Sequence, residues 1–180
     1  MNICVFCSST DNLDPSYYTT GYVVGRLIAE HGHTLVFGGY TKGIMGAVAR
    51  GVKEAGGKVI SVIPQILLKV RPSFENGAEV FIMDSMSSRK DKMLELADAF
   101  LSLPGGVGTL DEVFQVIAMR VVGETKKPIA FLIQGASQEK LVEYMNQAFD
   151  EGFISHETMA FLGFCGNPRE LLDYIEKQIV

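Results

Sequence analysis

A glycine-rich segment that ends in a carboxylate offers the clearest chemistry in the sequence. Residues 104–112 read Pro-Gly-Gly-Val-Gly-Thr-Leu-Asp-Glu and follow an apolar run at residues 99–103, which predicts a buried strand. Thr109 and Glu112 have the Thr-x-x-Glu spacing of a capping box, which predicts a helix that starts at Thr109. Backbone N–H groups and the positive end of the helix dipole would then converge at the glycines, an arrangement that holds a phosphate without a lysine.

Glu112 has two interpretations in this setting. In a capping box it only accepts a hydrogen bond from a backbone N–H group, and the glycines only form a tight turn. As a functional group it places a negative charge beside the phosphate site, where a reacting group can meet it. The segment is not a Walker A loop, because no Gly-Lys-Ser or Gly-Lys-Thr follows the glycines.

Two adjacent cations, Arg89 and Lys90, lie early in a helix predicted for residues 85–97. Cations near a helix N-terminus oppose the helix dipole, so this pair needs an anion or a carboxylate partner. Lys90 shares a helical stripe with Met86 and Met93, and Arg89 shares another with Met93, so at least one charge lies beside the apolar face. The alternative interpretation of such a pair is a solvated helix face.

The composition narrows the classes of function. The chain has 180 residues and a mass of 19.7 kDa, which fits one domain over residues 1–180. A formal net charge of −5 and a pI near 5.2 argue against nucleic acid and membrane surfaces as partners. No stretch is apolar for long enough to cross a bilayer, and the first residues lead directly into a strand, so we expect a cytoplasmic protein.

The cysteines and histidines favour structural roles. Cys4 and Cys7 lie in the first apolar strand, where positions i and i+3 point to opposite faces, so buried thiols are favoured over a redox pair. His31 and His33 supply too few ligands to predict a metal site, and we interpret them as the end of a helix and the start of a strand.

Short runs rich in Val, Ile and Phe alternate with helical segments along the chain, which predicts a single doubly wound, Rossmann-like α/β domain. Its sheet should be mostly parallel, with helices on both faces and ligands at the carboxyl ends of the strands. Strands are predicted at residues 2–7, 34–37, 58–63, 79–83, 99–103, 128–133 and 162–165, and helices at 15–31, up to 55, 85–97, 109–122, 137–151 and 168–178.

Two details of this pattern bear on partners. Residues 8–11 follow the first strand without a Gly-x-Gly-x-x-Gly fingerprint, so no bound NAD or FAD is expected. The helix over residues 112–122 is apolar on nearly all sides, which predicts burial between layers or in a subunit interface. We therefore expect a homodimer or a larger homo-oligomer.

Two motifs at this spacing resemble the paired signature of the LOG ("Lonely Guy") family, which comprises cytokinin riboside 5′-monophosphate phosphoribohydrolases that are often labelled lysine decarboxylases. They are Met86-x-x-Arg89-Lys90 and Pro104-Gly105-Gly106-x-Gly108-Thr109-x-x-Glu112. The resemblance covers almost the whole chain and includes Cys7-Ser8-Ser9, Gly38-Gly39, Gly43-Ile44-Met45-Gly46 and Val62-Ile63-Pro64.

This resemblance implies cleavage of the N-glycosidic bond of a purine nucleoside 5′-monophosphate to the free base and ribose 5-phosphate. From the residues themselves we expect neither a cofactor nor a metal. The resemblance implies catalytic roles for Glu112, as the carboxylate near the anomeric carbon, and for Arg89, which would fix the substrate and support the site electrostatically. It also implies an active site near a subunit interface. The implied substrate-binding residues are Ser8, Gly38, Gly39, Met86, Lys90, Gly105, Gly106, Val107, Gly108 and Thr109.

Three positions depart from the family pattern and leave the preferred base open. This chain has Met119 where relatives commonly have Trp, Ala118 where they have Thr, and Arg71 where many have a Glu. Two other functions compete with the hydrolase. A carrier of a phosphate-bearing nucleotide or cofactor would not need a carboxylate beside an anion, and a PLP-dependent decarboxylase would need a Schiff-base lysine with a pyridinium partner that the sequence does not display.

Overall fold

The computed structural model describes residues 1–69, 72–74 and 77–179 and forms one seven-stranded sheet. All strand pairs in it are parallel, and the strand order is β4-β3-β2-β1-β5-β6-β7, which confirms the doubly wound α/β class. The strands are β1 (Asn2–Phe6), β2 (Thr34–Phe37), β3 (Lys58–Pro64), β4 (Glu79–Met83), β5 (Ala99–Ser102), β6 (Ile129–Leu132) and β7 (Leu162–Cys165).

Six helices of the described chain overlap the predicted helical segments, and two further helices are short and were not predicted. The helices are α1 (Pro15–Glu30), α2 (Gly43–Glu54), α3 (Gln65–Leu68), α4 (Met86–Leu96), α5 (Val107–Val121), α6 (Ala136–Asp150), α7 (His156–Ala160) and α8 (Pro168–Ile179). The sequence did not predict α3 and α7, because a helix of one turn is too short to produce a hydrophobic period.

Two apolar cores cover the two faces of the sheet. Val24 of α1, Val48 of α2 and Leu172 of α8 belong to one core, so these three helices lie on one face. The other core contains side chains from three further helices, namely Met93 of α4, Val113, Val116 and Ile117 of α5, and Met145 of α6. Burial on both faces explains why the strands are apolar without alternation.

The strand order reverses at β1, which pairs with β2 on one side and with β5 on the other. Such a topological switch point opens a crevice at the carboxyl ends of the strands. The loops that follow β1, β2 and β5 meet there.

Small residues bring α1 close to α2, the helix that begins beside this crevice. A Cβ atom on Gly25 would lie 2.0 Å from the Val48 carbonyl oxygen, and one on Gly51 would lie 2.2 Å from the Tyr22 carbonyl oxygen. Both distances are shorter than any carbon–oxygen contact that packed atoms tolerate, so the two backbones approach only because these positions are glycine.

The predictions for the cysteines are confirmed. Cys4 and Cys7 are free thiols, are both buried, and belong to the cores on opposite faces of the sheet. Among the described residues, none of the helices combines the length and the hydropathy that a membrane-crossing segment requires.

Candidate functional site

A cleft of about 360 Å³ lies at the switch point of the sheet. The loops after β1, β2 and β5 line it together with the first turns of α4 and α5. It brings together ten of the twelve side chains or backbone positions that the sequence singled out, namely Ser8, Gly38, Gly39, Met86, Arg89, Gly106, Val107, Gly108, Thr109 and Glu112.

The helix at the glycine segment begins at Val107, so the predicted start at Thr109 is wrong. The N-cap residue is Gly106, which makes no side-chain hydrogen bond, and Glu112 lies in the second turn instead of the first. The capping box therefore does not form here. A side-chain capping box does occur at α4, where the Ser85 and Ser88 hydroxyls each accept from the other residue's backbone N–H group at 3.1 Å.

The N-terminus of α5 presents backbone donors to the cleft. The first hydrogen bond of this helix joins the Leu110 N–H group to the Gly106 carbonyl oxygen at 3.0 Å, so the N–H groups of residues 107–109 precede it. Gly106 and Gly108 are exposed, and neither carries a side chain that covers these donors. Together with the positive end of the helix dipole, the three N–H groups form a site suited to a phosphate.

The N-terminus of α2 differs, although it also follows a glycine-rich loop. The Gly43 N–H group donates to Asp11 Oδ1 at 3.2 Å, and the Met45 N–H group donates to the Ser8 carbonyl oxygen at 3.0 Å. Ser8 in turn donates its N–H group to the Pro104 carbonyl oxygen at 3.1 Å, so the loops after β1 and β5 are joined. The protein itself therefore occupies these two donors of α2, and among the described helix starts we assign the phosphate to that of α5.

Arg89 and Glu112 form a buried ion pair at the floor of the cleft. The distance from Arg89 Nη1 to Glu112 Oε1 is 2.7 Å, and their side chains are only 6% and 7% exposed. Arg89 Nε also donates to the Val62 carbonyl oxygen at 3.2 Å, which fixes the plane of the guanidinium group. The predicted need of Arg89 for a carboxylate partner is thus met from α5.

Burial raises the pKa of Glu112, while the charge of Arg89 and its hydrogen bond act in the opposite direction. Burial outweighs the partner because a carboxylate loses most of its hydration here. A carboxylate with a raised pKa that faces a cleft is typical of a group that exchanges protons or stabilises developing charge. Cys7 also lines the cleft, but burial raises the pKa of its thiol, so it stays protonated and is a poor nucleophile.

Gly38 allows the guanidinium group to approach the strand. A Cβ atom on Gly38 would lie 2.1 Å from Arg89 Nη2 and 3.2 Å from Met45 Cε. A side chain at this position would therefore force the guanidinium group of Arg89 to shift.

Two of the predicted residues do not line the cleft. Lys90 Nζ bonds both carboxylate oxygens of Asp111 at 2.9 and 3.0 Å, on the outer side of α4 and α5. Gly105 lies behind the cleft wall, where a Cβ atom would lie 2.0 Å from Thr109 Oγ1. Gly105 therefore makes room for the buried Thr109 side chain instead of facing the cleft.

Sequence analysis missed one wall of the cleft because residues 64–76 carry no periodic pattern. Leu67, Pro72 and Ser73 line the cleft, and Ser73 forms an isolated antiparallel bridge with Tyr40. The Phe74 N–H group donates to the Gly39 carbonyl oxygen at 2.7 Å, which ties this segment to the loop after β2.

The three departures from the family pattern lie away from the described cleft lining or outside the described residues. Met119 lines a separate recess with Leu94 and Phe100, and Ala118 is exposed on α5. Arg71 lies outside the described residues.

Comparisons with known proteins match the chain to one family. The family model described as "Possible lysine decarboxylase" matches residues 45–175. A cytokinin riboside 5′-monophosphate phosphoribohydrolase of Arabidopsis thaliana is 36% identical over 175 residues, which cover 97% of this chain and 81% of that protein. An enzyme of the same name from Oryza sativa subsp. japonica is 34% identical over 98% of this chain and 73% of its own length.

Solved structures share the fold. The molybdenum cofactor binding protein from Rippkaea orientalis aligns with a TM-score of 0.76 at 19% identity, over 99% of this chain and 97% of that chain. The molybdenum cofactor carrier protein from Chlamydomonas reinhardtii aligns with a TM-score of 0.75 at 20% identity, with the same two coverages. At these sequence identities the comparison shows a shared fold and does not show a shared function.

Proposed function

Because the chain belongs to the LOG family of phosphoribohydrolases, whose family model is described as possible lysine decarboxylases, we propose that it hydrolyses the N-glycosidic bond of a purine nucleoside 5′-monophosphate. The products are the free base and ribose 5-phosphate. One arrangement carries the proposal: a buried carboxylate, oriented by a buried arginine, faces the same cleft as an uncovered helix N-terminus. The carboxylate is suited to stabilise charge at the ribose carbon that reacts, and the helix N-terminus is suited to bind the 5′-phosphate.

The chemistry follows from these two groups. When the bond between the ribose C1′ and the base nitrogen breaks, positive charge develops on the ribose ring, and a nearby carboxylate stabilises it. Water then forms the new C1′–O bond and loses a proton, and the departing base nitrogen gains one. Glu112, with its raised pKa, is suited to orient that water and to accept its proton. Arg89 holds the Glu112 carboxylate in place, and its charge favours the ionised form against the effect of burial.

The 5′-phosphate is the main handle of the substrate in this proposal. It would accept hydrogen bonds from the N–H groups of residues 107–109, and each hydrogen bond to a charged group contributes about 1.5–3 kcal/mol. Adenosine should therefore be cleaved with a kcat/KM at least roughly tenfold below that of AMP. A base-release assay with both substrates measures this ratio, and equal cleavage of the two would contradict the phosphate site.

A carrier of a phosphate-bearing ligand is the alternative, since the fold is shared with molybdenum cofactor carriers. A carrier gains nothing from burying Glu112 near an anion, because the two negative charges repel. Incubation with AMP separates the two functions: free adenine supports the hydrolase, and binding without turnover supports the carrier. The same assay with GMP, CMP and isopentenyl-AMP identifies the preferred base.

The decarboxylase label in the family description is not supported by the cleft. A PLP enzyme needs a lysine that forms a Schiff base with the cofactor. Among the residues that line the described cleft none is a lysine, and Lys90 is paired with Asp111 outside it.

We also propose a homodimer, or a larger homo-oligomer, that acts in the cytoplasm. Val113, Val116 and Ile117 of α5 are buried in the core, but the other side of the helix leaves Phe114, Val121 and Val122 exposed. Val107 is 86% exposed at the start of this helix, so the apolar surface reaches the rim of the cleft. Buried free thiols are compatible with a reducing compartment.

Light scattering at micromolar concentration should give the mass of at least two chains of 19.7 kDa. Val121→Lys should lower that mass towards one chain, since Val121 is 57% exposed and a lysine there is tolerated only in the free subunit. Tyr144→Lys, which alters an exposed aromatic residue on α6, should leave the mass unchanged. A monomeric wild-type protein would contradict the dimer.

A further inference from the structure

Two histidines and a glutamate converge at the edge of the sheet opposite to the cleft. Glu176 Oε1 lies 2.8 Å from His31 Nδ1 and 2.8 Å from His33 Nε2. The three ligand atoms all lie within 4.8 Å of one another. The side chains are 34%, 11% and 33% exposed for His31, His33 and Glu176, so they form a shallow and partly buried group.

Local backbone geometry places the two histidines on the same side of the chain. α1 ends with His31 as its C-cap residue, and Gly32 follows with a φ of 74°, a left-handed conformation that favours glycine. The His33 N–H group returns to the Ile28 carbonyl oxygen at 2.9 Å, after which β2 begins. This turn directs both imidazole rings towards α8, which carries Glu176.

The chemistry of this group fits a divalent transition metal. Two imidazole nitrogens and one carboxylate oxygen are ligands that Zn²⁺ accepts, with bond lengths of about 2.0–2.2 Å. Tetrahedral geometry with such bonds separates ligand atoms by about 3.3 Å, so each nitrogen needs to move only about 0.5 Å away from the carboxylate oxygen. Partial exposure leaves room for a water molecule as the fourth ligand.

We propose that His31, His33 and Glu176 bind one Zn²⁺ ion per chain. The ion joins three elements that are distant in sequence: the end of α1, the start of β2 and α8. It lies at the amino ends of the strands, whereas the substrate cleft lies at their carboxyl ends, so its role is structural. Binding to the folded state alone stabilises that state, and Zn²⁺ should raise the melting temperature of the protein.

The imidazole signals in NMR give a direct test with the unaltered protein. The chain has three histidines, and the third, His156, begins α7 and packs its ring near Phe149. Zn²⁺ added to chelator-treated, ¹⁵N-labelled protein should shift the ring nitrogens of two histidines and saturate at one equivalent. The third histidine should not respond. Absence of any shift, or equal changes at all three, would overturn the proposal.

Matched variants assign the ligands. Glu176→Gln preserves the shape of the side chain and removes its charge, and it should weaken Zn²⁺ affinity by more than roughly tenfold. His31→Ala should do the same and abolish the rise in melting temperature, because His31 is the more exposed histidine and its loss leaves the fold intact. His156→Ala and Glu143→Gln, which lie on α7 and α6, should bind Zn²⁺ like the wild type. Unchanged affinity in both ligand variants would show that the ion binds elsewhere.

Discussion

Glu112→Gln should lower the turnover of AMP by at least roughly 100-fold. Glutamine has nearly the same shape and keeps an oxygen that accepts from Arg89, but it carries no negative charge and cannot take a proton from water. The loss of one electrostatic or acid–base group costs about 10²–10³ in rate. The KM for AMP should change little, because the N–H groups at the start of α5 remain. Steady-state base release, measured on folded protein, gives both parameters.

Glu112→Gln should also lower the stability of the fold by more than the loss of a helix cap would. A carboxylate that only caps a helix would be replaced by glutamine at a cost within about 1 kcal/mol. Glu112 instead neutralises Arg89 in a site where both side chains are less than a tenth exposed. Glutamine leaves that cation without its counter-charge, so we expect the free energy of unfolding to fall by about 1–3 kcal/mol, which chemical denaturation would measure.

Asp111→Asn is the matched control on the same helix. Asp111 is exposed, pairs with Lys90 and does not line the cleft, so its variant should retain turnover close to that of the wild type. Normal turnover in Glu112→Gln would show that Glu112 is not the catalytic carboxylate. A large loss in both variants would indicate that negative charge near the cleft matters and that the buried position of Glu112 does not.

The sequence was sufficient for the sheet and for most of the cleft. Short apolar runs predicted β2, β4 and β7 with their bounds. For β2, whose residues are almost all buried, the reason is that a strand covered on both faces has a strong composition signal. The parallel order then required the glycine loops to meet at one edge, where the structure has them.

The start of α5 was missed for a local reason. Threonine and glutamate at this spacing predict a cap, but the backbone of residues 106–108 already adopts the helix entrance, with Gly106 as the N-cap. The first turn therefore contains Val107 and Gly108. Glu112 lies in the second turn, where it does not cap the helix and accepts a hydrogen bond from Arg89.

Partners that are distant in the sequence could not be predicted. The adjacent cations of α4 were expected to need carboxylates, but nothing in the sequence assigns Arg89 to Glu112 and Lys90 to Asp111. The same holds for Glu176, which meets His33 across 143 residues of chain. Each of these contacts depends on how helices pack on the sheet, and local patterns carry no information about that.

Removal of Arg89 should be as damaging as removal of Glu112, and it should change the pH dependence as well. Burial raises the pKa of Glu112, and the charge of Arg89 counteracts that rise. In Arg89→Ala the counteracting charge is gone, so the carboxylate pKa rises further and a smaller fraction is ionised at neutral pH. Turnover at pH 7 should fall by at least roughly 100-fold, and the acidic limb of the rate profile should move to higher pH.

The direction of that pH shift separates a positioning role from a merely structural one. Because the ionised form of Glu112 is the active form in the proposed mechanism, Arg89→Ala should reach its maximal activity at a higher pH than the wild-type protein does. Loss of one partner of a buried pair should also destabilise the fold by about 3–5 kcal/mol, so the profile is recorded below the melting temperature of the variant.

Arg89→Lys should recover only part of the rate, because one ammonium group cannot serve both Glu112 and the Val62 carbonyl oxygen. Lys92→Ala, which removes a cation paired with Glu95 on the same helix, should leave rate and profile unchanged. An Arg89→Ala protein that is slow at every pH, with an acidic limb at the wild-type position, would show that Arg89 does not control the ionisation of Glu112.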